Sequence, residues 1–313
     1  MTAPIKEAIV DENVLTREQE IEKYGLEINK VYNEDCLIGM QRIKDKSIDM
    51  ILCDLPYGTT QNKWDSVIPL NDYIEIEVKG KNKQLKEDEY FLWCYKNNIS
   101  LDKAKKEWNK RYKKGLWTHY NRIIKDNGAI VLFSANPFSS TLATSNISNF
   151  KYDWTWKKTK GTGHLNAKKQ PLRDKEDILV FYKKQCTYNP QFSKGTPYDG
   201  SLRAGKKHQT SSYGKHGTHR EMNDGKRYPR QILDFAIVGR GSLHPTQKPT
   251  ELLEYLVKTY TNEGEIILDN CIGVGSTGVA SINTNRNFIG FENDKEHGYF
   301  EIAKKRIKDV RLL

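Results

Sequence analysis

The sequence predicts an α/β fold in which helices flank both faces of a mostly parallel, doubly wound sheet. Short apolar runs with the length of buried strands alternate with stretches whose apolar residues have helical spacing, which is typical of parallel sheets. A glycine-rich run at 273–278, with the pattern G-x-G-x-x-G, follows one predicted strand and precedes a predicted helix. Such runs open nucleotide-binding βαβ units. Because only 40 residues follow Gly273, the other strands must precede it, and the predicted strand order is permuted.

Composition favours a globular protein that binds a polyanion. The chain has 313 residues, of which 37% are hydrophobic, and a net charge of +11. A chain of this length and hydrophobic content can form one large domain with insertions, or two domains. Residues 151–230 contain 19 Lys and Arg against 7 Asp and Glu, a net of +12, so the rest of the chain sums to −1. Because the basic excess is concentrated in one block, we expect a nucleic-acid surface there.

Cysteine usage and hydropathy predict a soluble cytoplasmic protein. The five cysteines, Cys36, Cys53, Cys94, Cys186 and Cys271, are odd in number and form no C-x-x-C pair. They indicate reduced thiols, and neither a disulfide framework nor a zinc site. His208, His216 and His219, in the stretch 186–241, have no cysteine or carboxylate cluster beside them, so we predict no metal. The chain shows no apolar signal core and no run of about 18 apolar residues, and we therefore expect no membrane partner.

The predicted elements form a core with three additions. Residues 1–29 are predicted to be an N-terminal helical extension, because Thr16 and Gln19 have the spacing of a capping box. The core comprises 30–192 and 242–313. Its strands are predicted at 30–33, 47–53, 128–133, 152–156, 177–182, 264–269 and 288–291, and its helices at 37–43, 252–260, after the glycine run and at 299–307.

Two insertions interrupt this core. Residues 71–115 are dense in charge, and the positions 101, 104, 108 and 112 have helical spacing behind Ser100, a candidate cap. This insertion could be a helical hairpin packed on the domain, a DNA clamp or a dimer contact. Residues 193–241 are basic and rich in glycine and tyrosine, without periodicity. A loop region of this length inside a folded chain is usually functional or disordered.

The run Asp54-Leu55-Pro56-Tyr57 follows a predicted buried strand. An acid at the carboxyl end of such a strand lies where open α/β sheets bind ligands. A carboxylate can accept a hydrogen bond from an amine, a turn carbonyl can accept another, and a tyrosine ring can stack on a flat group. These features suit a planar ring with an NH2 group, such as adenine or cytosine. An ordinary strand-ending turn uses the same residue types.

The glycine run predicts a site for a nucleotide-like ligand. Its glycines let the backbone approach a ligand at a helix N-terminus, and Glu292, 19 positions after Gly273, can hold a ribose diol. A nicotinamide or flavin dinucleotide and S-adenosylmethionine both fit this pattern. Dinucleotide enzymes usually begin with the glycine run, so its late position favours S-adenosylmethionine.

Four segments together resemble the beta-type DNA amino-methyltransferases, in which the catalytic motif precedes the cofactor loop. They are residues 54–57, the hexapeptide 244–249, the run 269–278 and Glu292. The resemblance covers the stretches 30–60, 128–192 and 242–310. It implies a Rossmann-like methyltransferase sheet, S-adenosylmethionine as cofactor, and methylation of the N6 amine of adenine or the N4 amine of cytosine.

The resemblance also implies roles for particular residues. Asp54, Leu55, Pro56 and Tyr57 are matched to the catalytic target-base pocket, to which Leu55 lends its carbonyl. In the cofactor site, Asp35 is matched to the adenine end, Glu292 to the ribose and residues 246–248 to the amino-acid end. The residues implied in cofactor binding are Asp35, Thr246, Gln247, Lys248, Asp269, Cys271, Gly273, Gly275, Ser276, Thr277 and Glu292. Two positions depart from the family: Leu55 replaces a proline, and Cys271 replaces a phenylalanine that packs on the cofactor, which changes the shape of that wall.

We therefore predict a site-specific DNA adenine-N6 methyltransferase that acts on a flipped adenine in double-stranded DNA. Asp at the head of the base-pocket motif favours adenine, whereas Ser is commoner in cytosine-N4 enzymes. Cytosine-N4 methylation, RNA methylation, a non-catalytic nucleic-acid-binding subunit and a dinucleotide oxidoreductase are the alternatives. Residues 193–241 would recognise the target, with DNA contacts predicted at Lys194, Arg203, Lys206, Lys207, Lys215, Arg220, Lys226 and Arg227. A restriction-modification system, or a solitary or phage enzyme, would suit this activity, with double-stranded DNA, a homodimer and a cognate restriction endonuclease as candidate partners.

Overall fold

The computed structural model describes residues 15–60, 62, 65–78, 80–199, 222–294 and 296–312. Its strands β1 to β14 are Lys30–Asn33, Ile48–Asp54, Tyr73–Val78, Lys81–Lys86, Ile124–Ser134, Phe150–Thr162, Arg173–Phe181, Ser193–Lys194, Tyr198–Asp199, Met222–Asn223, Lys226–Arg227, Ile232–Asp234, Ile266–Asp269 and Asn287–Glu292. Its helices α1 to α9 are Arg17–Tyr24, Cys36–Gly39, Glu87–Lys96, Leu101–Arg111, Leu116–Ile123, Phe138–Ser145, Thr250–Tyr260, Ser276–Asn283 and Tyr299–Arg311. Each core strand predicted from the sequence is present.

The described part of the chain is organised around an eight-stranded sheet with the order β1-β14-β13-β2-β5-β7-β6-β12. β7 runs antiparallel to both of its neighbours, and the other pairs are parallel. β13, which precedes the glycine run, lies beside β2, with Leu268 opposite Ile51. This neighbour relation is the permuted order that the late glycine run predicts, and it confirms the doubly wound Rossmann-like sheet.

Apolar side chains cover both faces of the sheet. On one face Cys53 packs in a cluster with Tyr120 of α5, and on the other Leu52 packs in a cluster with Leu256 of α7. Since successive side chains of a strand point to opposite faces, β2 is buried on both sides. Burying one aliphatic side chain contributes about 1.5–3 kcal/mol, so the packing of β2 fixes the position of its last residue, Asp54.

The insertion at 71–115 is only partly helical. It begins with an antiparallel hairpin of β3 and β4, in which Ile74 lies opposite Leu85, and continues into α3 and α4. Ile74, Tyr90 and Trp108 belong to a hydrophobic cluster of this insertion that is separate from the core clusters of the sheet. The insertion is predicted as helical from the spacing at 101–112, and the alternating residues of β3 form a strand that this spacing does not reveal.

The basic region has a small amount of regular structure in its described residues. β8 pairs with β11, and β9 pairs with β10, each over two residues. β12 adds to the edge of the central sheet by pairing with β6, Leu233 opposite Trp156. β12 thus belongs to the central sheet, although the predicted bounds of the basic region, 193–241, include it.

The N-terminal extension ends in the predicted capped helix. The amide of Gln19 donates to Thr16 Oγ1 at 3.3 Å, and the amide of Thr16 donates to Gln19 Oε1 at 2.7 Å, which is a capping box. Gly25 ends α1 with a φ of 86°, a left-handed conformation that glycine adopts readily. Among the described helices, none combines the length and the apolar character needed to cross a membrane.

Candidate active site

A single cleft at the carboxyl ends of the central strands brings the predicted motifs together. It has a volume of about 1420 Å³ and is lined by residues from every motif of the sequence analysis. They include Asp35 after β1, Asp54 at the end of β2, Asp269 at the end of β13 and Glu292 at the end of β14. Parallel strands end at the same edge, so motifs far apart in the chain meet there.

The base-pocket end of the cleft is built on Asp54 and Tyr57. The hydroxyl of Tyr57 donates to Asp54 Oδ1 at 2.8 Å, and its ring stacks on Phe138 with centroids 5.5 Å apart. Leu55 is buried, while Pro56 is half-buried at the cleft wall. The tyrosine therefore orients the carboxylate and presents an aromatic surface beside it.

Asp65, which the sequence analysis misses, holds the turn that follows. Its carboxylate accepts the backbone N–H groups of Gly58, Thr59 and Thr60 at 2.9, 2.9 and 2.7 Å. Burial works to raise the pKa of Asp65, but these donors outweigh it and lower the pKa. An acid seven residues after a glycine turn is a weak sequence signal, because its role depends on a loop closing back on itself.

Lys248 lies in the base pocket. Its side chain is 6% exposed, and its Nζ donates to Asp54 Oδ2 and to the carbonyl of Thr246, the latter at 3.4 Å. Nζ also lies 3.3 Å from Glu176 Oε2 on β7, and Lys158 of β6 donates to Glu176 Oε1. The resemblance matches Lys248 to the cofactor's amino-acid end. Glu176 and Lys158 could not be predicted from the sequence, because only strand register brings these charges together.

The neighbouring charges shift the pKa values of Asp54, Glu176 and Lys248. Burial raises the pKa of Asp54 against the attraction of Lys248, and the carboxylate of Glu176 adds to the rise. Burial works to raise the pKa of Glu176 too, but Lys248 and Lys158 outweigh it and lower that pKa. Burial works to lower the pKa of Lys248, but the two carboxylates outweigh it and raise the pKa. The lysine is therefore a cation, and Glu176 is held as an anion more firmly than Asp54.

Two acids stand at the other end of the cleft. Glu292 Oε2 accepts the backbone N–H of Gly273 at 2.8 Å, and Asp269 Oδ1 accepts the N–H of Cys271 at 3.0 Å. Burial raises the pKa of Glu292 to about 7 and that of Asp269 to about 6. Asp35 caps α2 by accepting the amide of Leu37 at 2.8 Å. Glu292, Asp269 and Asp35 form an acidic wall of the cleft. A ligand with a positive charge or with hydroxyl groups could pair with their carboxylates.

The glycine run is shaped for close approach by a ligand. Gly273 has a φ of 53°, and a Cβ placed on it would meet nothing within 4 Å, so its surface faces open space. Gly275 has a φ of 82° and lies against Ala303 of α9, where a Cβ would come within 3.1 Å. Ser276 and Thr277 begin α8 and line the cleft. Backbone N–H groups at a helix N-terminus thus border the cavity.

Cys271 forms part of the cleft wall beside a second thiol. The side-chain Nδ2 of Asn270 lies 3.5 Å from Cys271 Sγ and 3.7 Å from Cys36 Sγ. The hydroxyl of Tyr120 donates to Asn270 Oδ1 at 2.5 Å. Cys271 thus lines the cleft with a small side chain.

The segment 244–249 closes on itself at the cleft rim. Gln247 Oε1 accepts the amide of Leu243 at 2.9 Å, and Thr246 Oγ1 lies 3.1 Å from His244 Nδ1. The His244 ring packs on Tyr299 with centroids 4.5 Å apart, and burial lowers the pKa of His244 to about 4. The neutral histidine therefore anchors the segment to α9 and places Lys248 behind it.

The predicted DNA contacts are represented by three described residues. Lys194 on β8 and Lys226 on β11 are exposed, whereas Arg227 bonds Asn223 and the backbone and lies over the Tyr198 ring, 4.9 Å from its centroid. Arg227 is thus part of the loop framework. Arg203, Lys206, Lys207, Lys215 and Arg220 lie outside the described residues.

The fold is Rossmann-like, and its cleft sets the turn 54–57 next to the glycine run. A family model described as DNA methylase matches residues 48–305. The chain is 30% identical to the type II methyltransferase M2.LlaDCHI of Lactococcus lactis subsp. cremoris, over 86% of this chain and 85% of that one. It is 24% identical to the DNA adenine methyltransferase YhdJ of Escherichia coli (strain K12), over 91% of this chain and 84% of that one.

A solved structure supports the fold. The M1.HpyAVI–SAM complex superposes with a TM-score of 0.51 at 22% identity, covering 89% of this chain and 98% of that one. The chain belongs to the N6/N4 DNA methylase family. Its members transfer a methyl group from S-adenosylmethionine, which is therefore the cofactor whose fit to the cleft matters.

The residues present fit this cofactor. S-adenosylmethionine carries a sulfonium and an ammonium, which the carboxylate of Asp269 would attract, and burial raises the pKa values of both Asp269 and Glu292. Glu292 at the end of β14 would hold the ribose diol, and the open surface at Gly273 would admit the ligand to the backbone.

Proposed function

We propose that the protein is a site-specific DNA methyltransferase that modifies the exocyclic N6 of an adenine flipped out of double-stranded DNA. The observation that carries the proposal is Asp54, which lies at the cleft end of β2 with the Tyr57 hydroxyl on one oxygen. Asp as the motif's first residue and the adenine specificity named for YhdJ support adenine over cytosine.

The chain's own residues perform the chemistry around a methyl donor. The cofactor supplies an electrophilic methyl group. Asp54 and the carbonyl of Leu55 accept the two hydrogens of the target amine, which frees the nitrogen lone pair from the ring. Positive charge then develops on that nitrogen, and the carboxylate stabilises it, so positioning and electrostatics carry most of the rate. The nitrogen sheds its proton late, and Tyr57 replaces part of the stacking that the flipped base loses.

Nucleoside analysis identifies which base the protein methylates. Incubation with S-adenosylmethionine and unmethylated DNA, followed by mass spectrometry of the digested nucleosides, should give N6-methyladenine. N4-methylcytosine would keep the family and refute the adenine assignment. Absence of any mark on DNA by a protein that binds the cofactor would contradict the proposal and favour an RNA substrate or a non-catalytic subunit.

The basic region is the proposed target-recognition element. Exchanging Lys194 and Lys226 for glutamine is expected to weaken binding to any DNA sequence, because both exposed lysines would neutralise phosphates. The slope of log affinity against log salt should fall by about 1 for each lysine. Fluorescence anisotropy across a salt series measures it, with exposed Lys308 of α9 exchanged for glutamine as the control. An unchanged slope would place the DNA elsewhere.

Cofactor affinity should depend on pH through Glu292. Burial raises its pKa to about 7, and the carboxylate is the form that accepts hydrogen bonds from a ribose diol. Lowering the pH from 8 to 6 protonates it and should weaken cofactor binding by up to about tenfold. Calorimetry at three pH values measures the effect, and Glu292→Gln should abolish the step near pH 7. A step that persists in this variant would belong to another acid, such as Asp269.

Membership of a restriction-modification system is part of the proposal, since M2.LlaDCHI is named a type II methyltransferase. DNA modified by the protein would then resist a cognate restriction endonuclease at the methylated site. Sedimentation of the purified protein tests for a homodimer.

A further inference from the structure

Both carboxylate oxygens of Asp54 are engaged in the protein alone. Tyr57 donates to Oδ1 at 2.8 Å, and the Lys248 ammonium donates to Oδ2. A target amine needs one of these oxygens as its acceptor. An ammonium next to an amine that gains positive charge also opposes methyl transfer, because like charges repel strongly in a buried site. Lys248 therefore stands in the way of the proposed chemistry.

Glu176 offers the ammonium a second place. Its Oε2 is buried and accepts no hydrogen bond from any described residue, although Lys248 Nζ lies only 3.3 Å away. Its other oxygen is held by Lys158. Lys248 Nζ lies 5.1 Å from the centroid of Phe133, whose ring face stabilises a cation nearby. A small movement of Nζ would give Oε2 a donor while the cation stays paired, which a buried charge requires.

We propose that Lys248 is a positioning residue that holds Asp54 in the free protein and passes to Glu176 when the target amine enters the pocket. The inference rests on the proposed role of Asp54 as the acceptor for that amine. In the free protein the ammonium of Lys248 attracts the Asp54 carboxylate and orients it. In the loaded protein Glu176 takes the ammonium, so Oδ2 of Asp54 becomes available and the cation retreats from the reacting nitrogen.

The titratable groups around Asp54 determine the pH dependence that this transfer would give. Lys248 and Tyr57 contact its carboxylate, Glu176 lies behind the lysine, and Asp269 is close enough to interact electrostatically. Cys53, the preceding residue, is a buried thiol whose pKa burial raises to about 12, so it stays neutral in the working range. The acid limb of kcat reports Asp54 in the loaded enzyme.

Two substitutions should move this limb in opposite directions. Glu176→Gln removes the receiving anion, so Lys248 stays on Asp54: kcat should fall by up to about a hundredfold, as for a misplaced reacting group, and the acid limb should move to lower pH. Lys248→Met removes the cation beside Asp54, so the limb should move to higher pH. Cofactor affinity should change little in Glu176→Gln, because Glu176 is not among the residues matched to the cofactor.

The experiment measures kcat against pH, cofactor Kd and melting temperature for the wild type, both variants and Glu176→Asp. The last variant keeps the charge but shortens the reach, so it should lower kcat with little movement of the limb. Lys175→Met is the matched control, since Lys175 pairs with Asp177 at 2.8 Å on the same strand and is 57% exposed. It should leave kcat and the limb unchanged.

The outcomes separate this inference from the proposed function. Wild-type kcat and an unshifted limb in Glu176→Gln would overturn the transfer of Lys248, even with an active enzyme. Losses of kcat that only follow the melting temperature, with all limbs coincident, would overturn it too and leave the four charges a structural role. Inactivity of the wild type on DNA would instead contradict the proposed function, because Asp54 would then have no amine to accept.

Discussion

Replacement of Asp54 by alanine is expected to abolish methyl transfer while leaving cofactor binding nearly intact. The carboxylate is the acceptor aimed at the position where charge develops, and the loss of one such preorganised group costs about 10²–10³ in kcat. We therefore expect the loss to reach about a thousandfold, measured as methyl groups transferred to DNA at saturating cofactor.

Cofactor titration distinguishes this effect from unfolding. Asp54 lies at the base-pocket end of the cleft, whereas Glu292 and Gly273 form the other end, so calorimetry should give a cofactor Kd close to that of the wild type. Asp309→Ala, at an exposed position of α9, is the matched control and should keep full activity. Retained transfer by the Asp54 variant would refute the proposed mechanism.

Replacement of Glu292 by alanine is expected to raise the cofactor Kd by about a hundredfold or more. A hydrogen bond to a charged group contributes about 1.5–3 kcal/mol, and a ribose diol makes two of them, while 1.4 kcal/mol corresponds to about tenfold in affinity. Glu292 Oε2 also accepts the amide of Gly273 at 2.8 Å, so its removal loosens the glycine run as well. Calorimetry with S-adenosylmethionine measures the change.

Glu292→Gln separates these two contributions. A glutamine oxygen can still accept the Gly273 amide, so the glycine run should keep its shape and the loss of affinity should be smaller than in the alanine variant. Glu301→Ala is the control, because Glu301 is an exposed acid on α9 that pairs with Lys304 at 3.1 Å. An unchanged Kd in Glu292→Ala would mean that the cofactor binds away from this acid.

The fold follows from local patterns in the sequence. β2 and β13 are short apolar runs closed by an acid, and α7 carries its apolar residues at helical spacing, so burial of each element can be predicted from its own residues. The position of the glycine run after the strand that ends in Asp54 predicts that β2 and β13 are neighbours, because the two ligand-binding motifs must meet at one edge of the sheet. The insertion is the main exception: β4 is a basic strand, and its exposed residues have no apolar alternation to reveal it.

The cleft follows less completely from the sequence. Asp54, Tyr57 and Glu292 can be located in it because a parallel sheet brings strand ends together, whatever the side chains do. Glu176 cannot be located in the cleft from the sequence. It precedes the buried residues of β7, and only the antiparallel pairing of β7 with β6 sets it beside Lys158. The role of Asp65 could not be predicted from the sequence either, since its hydrogen-bond partners are backbone N–H groups of a turn.

The sequence by itself thus determined the permuted sheet, the family and the two ends of the cleft, because apolar period, glycine positions and strand-ending acids are local signals. Only the tertiary structure decided that Lys248, 194 residues from Asp54 in the chain, neutralises it and shares its charge with Glu176. A buried charge is tolerated only where the packed fold supplies partners, and those partners come from distant strands whose relative register the sequence does not state.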